Sequence, residues 1–128
     1  MRRFLASTLA PALAAFLLTA GASAALAETG PNGGPMAEVD PFHLELVATD
    51  GTLKIYVFDH SEKPVDVKGA TASATVLVDR KPLPVPLTVA GKNLLQGSGA
   101  FKAAKDLVVI VNYAPPGGKA VQGRFPVK

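Results

Sequence analysis

Cysteine is missing from the 128 residues, and so is tryptophan. Without cysteine there is no disulfide framework, no thiolate metal site, no catalytic thiol and no amino-terminal lipid anchor. Aromatic residues make up 6% and charged residues 18% of the chain. Past residue 27 no run of lysine or arginine is longer than Arg80-Lys81. Nucleic-acid binding needs several cations on one face, with aromatics among them for single strands, so no nucleic-acid partner is expected. Enzyme signatures are missing too. Gly97-Ser98-Gly99 lacks the spacing of a nucleophile elbow. Lys102 stands where a dinucleotide fingerprint needs its third glycine, and Ala120 stands where a phosphate loop needs serine or threonine. A non-catalytic protein is expected.

The formal net charge of +3 hides an uneven distribution. Arg2 and Arg3 precede "FLASTLAPALAAFLLTAGASAALA", which carries no charge and ends on the small-x-small pattern Ala25-Leu26-Ala27. Residues 1–27 therefore read as a signal peptide for the general secretory route, cleaved before Glu28. Phenylalanine directly after the paired arginines argues against the twin-arginine route. The signal takes two of the 13 basic residues and none of the 10 acidic ones, which leaves the rest near neutral. The expected location is the periplasm, with membrane contact only through the signal during export.

Residues 28–41, "ETGPNGGPMAEVDP", are dense in Gly and Pro and read as a flexible leader. From Phe42 to the end the apolar pattern has a period of two, which predicts an all-β domain over 42–128. "HLELVAT" and "TLKIYVFDH" flank Asp50-Gly51, a pair suited to a two-residue type I′ turn. That turn sets Thr49 opposite Thr52, Glu45 opposite Tyr56 and His43 opposite Phe58. Leu44, Leu46, Ala48, Leu53, Ile55 and Val57 then form the core face. The outer face carries His43, Glu45, Val47, Lys54, Tyr56 and Phe58, and two more residues bring His60 to the same side.

"ATASATVLV" and "LPVPLTV" continue the alternation around a turn at Asp79 to Pro82. Pro82, Pro84 and Pro86 stand two apart, so their missing donors lie on one side and predict an edge strand. "GAFKAAKD" is the only candidate for a helical turn. "DLVVIVNYA" is apolar at both parities, as for a central strand buried on both faces. "PPGG" marks a turn before "KAVQGRFPVK". About seven strands result, which favours an immunoglobulin-like or Greek-key β-sandwich, with a partly open β-barrel as the alternative.

The hairpin register has a chemical consequence. His60 is the diagonal neighbour of His43, and such neighbours lie roughly 7 to 8 Å apart at the backbone, within reach of one shared ion. Glu45 adds a carboxylate on the same face, and Asp59 or Glu62 can approach if the strand bends after Phe58. Two imidazoles and a carboxylate suit Zn, Cu or Ni as the divalent ion. Met36 is the one methionine past the signal, so a thioether site for Cu⁺ is not expected. The competing reading is a pair of solvated polar residues at an open hairpin end.

"HLELVATDGTLKIYVFDHSEKPVDVKGATASATVL", "LTVAGKNLLQGSGAF" and the closing "GRF" together resemble a small periplasmic heavy-metal-resistance domain. That domain occurs as the amino-terminal extension of cobalt-zinc-cadmium-type efflux adaptor proteins and as short exported relatives. The resemblance covers roughly Phe42 to Phe125. It implies an accessory protein of metal efflux, with a periplasmic efflux adaptor or another envelope protein as partner. It also implies metal ligation by His43, Glu45, Asp59 and His60. The alternative is an envelope protein-protein interaction module without a metal site, anchored by Tyr56 and Phe58.

Overall fold

A computed structural model describes residues 29–103 and 107–126. The signal-peptide reading and the last three residues of "GAFKAAKD" fall outside those residues. The described chain is all-β, with eight strands. These are β1 (Met36–Val39), β2 (Phe42–Thr49), β3 (Thr52–Phe58), β4 (Thr71–Val78), β5 (Lys81–Gly91), β6 (Leu94–Ser98), β7 (Val108–Ala114) and β8 (Val121–Pro126). All ladders are antiparallel, in the order β1-β2-β3-β6-β5-β4-β7-β8.

Within that order β4, β5 and β6 are joined by hairpins, and β7 returns to lie beside β4, which is a Greek key. The sheet is continuous and curls into a nearly closed barrel, closer to the barrel alternative than to two separate layers. Its end strands meet through side chains: the Cβ position of Gly123 in β8 lies 3.2 Å from Val39 Cγ1 and 3.5 Å from Leu44 Cδ1. Phe42 of β2 also meets Tyr113 of β7 edge to face, with ring centroids 5.2 Å apart. Alternating residues point inward, and Leu44, Leu46, Leu53, Ile55, Val57, Val76, Val85, Leu95, Val109, Val111 and Phe125 form the packed interior.

The β2–β3 hairpin has the expected register, from Thr49↔Thr52 through Glu45↔Tyr56 to His43↔Phe58. Its turn differs. Gly51 has φ +76° but Asp50 does not have positive φ, so the type I′ assignment is wrong. The reason is tertiary: Gly51 N donates to Phe101 O, Gly99 N donates to Gly51 O, and Asp50 Oδ1 accepts from Ala103 N. The loop after β6 holds this turn from outside. Asp79 and Arg80, both at positive φ, make the β4–β5 turn instead.

Three further expectations are corrected. Met36–Val39, assigned to a flexible leader, forms β1 on the flank of β2, with Glu38 opposite His43. β5 is an interior strand, paired with β4 along Lys81–Leu87 and with β6 from Thr88. Proline cannot donate, so the nitrogens of Pro82, Pro84 and Pro86 must face away from the β4 ladder. The β6 ladder begins only after the last of them. Finally, β7 is central but buried on one face: Val109, Val111 and Tyr113 are buried and the residues between them only half-buried.

Tyr113 is fully buried, and its hydroxyl finds no hydrogen-bond partner among the described residues. Burial pushes its pKa above the ordinary 10.0, because the phenolate would be desolvated. The unfolded chain therefore loses this proton first as pH rises. The contribution of Tyr113 to stability should be constant up to about pH 10 and fall beyond it. Tyr113→Phe is expected to unfold at equal or slightly higher urea concentration at neutral pH, since it removes an unsatisfied hydroxyl worth about 1–3 kcal/mol of desolvation. It should also lose less stability than the parent between pH 9 and pH 11. A variant clearly weaker at neutral pH would show that the hydroxyl is hydrogen-bonded after all.

Candidate metal centre

Three strands bring the histidines together. His43 lies second in β2, directly across from Glu38 in β1 and from Phe58 in β3. β3 ends at Phe58, which bridges back to Pro64, so residues 59–63 make a tight reversal. Asp59 builds that reversal: its Oδ1 accepts from Ser61 N and Lys63 N, and its own N–H donates to Lys63 O. This is the Asx-turn chemistry that favours aspartate at such corners. It holds His60 over the end of the hairpin, with the His43 and His60 ring centroids 5.4 Å apart and the rings nearly perpendicular.

Glu38, His43 and His60 each offer one donor atom, and these atoms lie within 4.8 Å of one another. His43 Nε2 is 3.8 Å from Glu38 Oε2. Beside the group, Asp40 Oδ1 lies 2.7 Å from His60 Nε2. Donors on one tetrahedral ion, at about 2.0–2.2 Å from it, sit roughly 3.3 Å from each other. The His43–Glu38 separation is already near that spacing. The His43 side chain is 17% exposed and the His60 side chain 52%, an open setting with room for water on the ion. Two carboxylates beside two imidazoles favour a cation.

Of the four residues expected as ligands, the structure brings together His43 and His60. It commits the other two elsewhere. Glu45 is fully buried. Its Oε2 accepts from Asn32 N and Gly34 N and its Oε1 from Asn32 Nδ2. The Gly30–Gly34 loop wraps this carboxylate, and a Cβ at Gly30 would collide with it. A Cβ at Gly34 would strike the Leu46 carbonyl. Asp59 turns Oδ1 to the two turn N–H groups and is not among the three residues that converge. Glu38 takes the place given to Glu45, and it was missed because it lay in the assigned leader. The signal was legible: Met36, Glu38 and Asp40 alternate, and Asp40-Pro41 is a turn pair two residues before His43. Phe58 is buried as well, so it is no exposed anchor.

No family model, no curated protein and no solved structure matches this chain. What the centre can do is argued from its donors. A Glu/His/His group with open positions can hold a divalent transition metal.

The different tasks of Glu45 and Asp59 are separable. Asp59→Asn keeps an acceptor for both turn donors and should leave metal affinity within about twofold of the parent. Glu45→Gln loses one acceptor from a buried, charge-assisted set and should lower the unfolding free energy by about 1–3 kcal/mol, with one metal still bound per chain. Urea unfolding and calorimetric titration check both. Loss of the metal in Asp59→Asn at unchanged stability would restore Asp59 as a ligand.

Proposed function

We propose that this protein is an exported, periplasmic accessory of heavy-metal efflux that binds a divalent ion, Zn, Cu or Ni, and passes it to an envelope partner such as an efflux adaptor. The observation that carries the metal part is the convergence of Glu38, His43 and His60 at one hairpin end. The donor set supports the ion class. With no thiolate and no methionine cluster, imidazole and carboxylate select borderline divalent ions over Cu⁺. The exposure of His60 and Glu38 suits exchange, because a buried four-ligand cage would retain its ion. The efflux and periplasmic parts rest on the family resemblance and on the signal-like start of the chain. The interaction-module alternative is weakened by the burial of Phe58, one of its two aromatic anchors.

Titration of the purified protein with Zn²⁺, Cu²⁺ and Ni²⁺ tests the reading. One ion per chain is expected, at micromolar or tighter Kd. His43→Ala and His60→Ala should each weaken binding by at least about tenfold, and Glu38→Gln by several-fold. Affinity should fall on acidification, because imidazole ligates as the neutral base. Binding unchanged in both histidine variants would remove this site, and no binding at all would leave the interaction module as the better account.

A further inference from the structure

We infer that Asp40 is a positioning residue for the ion: it accepts the Nε2–H of His60 and so turns the other ring nitrogen, Nδ1, toward Glu38 and His43. This rests on the metal reading above. The first argument is distance. Asp40 Oδ1 and His60 Nε2 are 2.7 Å apart, the length of a charge-assisted hydrogen bond. It is shorter than the roughly 3.3 Å between two donors that share a tetrahedral ion. A carboxylate only accepts, so the proton sits on Nε2, and a neutral imidazole then carries its lone pair on Nδ1.

The second argument is placement. Glu38, His43 and His60 converge as a group that leaves Asp40 out, so Asp40 touches His60 Nε2 without joining the three donors. It is also anchored. Val39 pairs with Phe42, which leaves Asp40 and Pro41 as a two-residue turn immediately after the strand that carries Glu38. The residue that supplies a ligand and the residue that orients the opposite ligand therefore come from one short strand and its turn. Without that bond, His60 would be an exposed side chain on a reversal, free to sample rotamers that miss the ion. A carboxylate that fixes the tautomer and raises the basicity of a ligating imidazole is the usual partner of a metal-bound histidine.

The test uses ¹⁵N-histidine NMR of the full protein, free and loaded with ¹¹³Cd²⁺, together with Zn²⁺ titration of Asp40 variants. The metal-free protein should show His60 as the Nε2–H tautomer, and cadmium should couple to His60 Nδ1. Asp40→Ala should weaken Zn²⁺ by about 10–100-fold with unchanged thermal unfolding, since Asp40 is exposed. Asp40→Asn, an acceptor without charge, should fall between. Cadmium coupling to His60 Nε2, or an Asp40→Ala affinity within twofold of the parent, overturns the inference. Binding that needs His43 and His60 but ignores Asp40 would overturn it alone. A parent protein that takes up neither ion would overturn the metal reading with it.

Discussion

The buried carboxylate of Glu45 is the constraint on which the candidate site depends. A charge removed from water costs several kcal/mol unless it is matched, and here Asn32 and Gly34 match it with three N–H donors. Those donors lie in the Gly30–Gly34 loop, so satisfying the carboxylate also ties that loop to β2. Leu46 N donates to Pro35 O just beyond it, and the chain then runs directly into β1. A four-residue strand has too little apolar area to dock unaided. Tied down at its start, β1 runs along β2, sets Glu38 beside His43, and carries Val39 to the seam with β8.

Closure of the barrel follows from similar bookkeeping of backbone donors. The prolines of β5 leave their side of the strand without a ladder as far as Leu87, and the strand changes partner as soon as they end. An eleven-residue strand that pairs with β4 first and β6 later joins what would otherwise be two sheets. Phe42 and Tyr113 then meet across the interior from opposite ends of the strand order.

Much of this was legible in the residues. Asp50-Gly51 set the β2–β3 register because hairpin pairing is local, and the Asp59 reversal that follows β3 brings His60 to His43. The same alternation identified Leu44, Leu46, Leu53, Ile55 and Val57 as core. It was silent on what covers the outer face. Glu45 looked like a solvent-facing neighbour of His43 because nothing in β2 itself announces the glycine loop that encloses it. Asp59 looked like a ligand because its proximity to His60 is visible in sequence, whereas its bonds to Ser61 and Lys63 depend on how the chain reverses.

The sequence by itself determined the all-β class and the hairpin that sets His43 opposite Phe58, two residues short of His60, since a two-residue period and a turn pair act over a few residues. The tertiary structure alone decided which carboxylates join the two histidines. Glu38 and Asp40 reach the histidines from β1 and its turn, which pair with β2 directly after the loop that wraps Glu45, and Glu45 is withdrawn into that loop. A carboxylate takes whichever donors the fold places within hydrogen-bond reach, and in this chain those donors come from segments that periodicity leaves undefined.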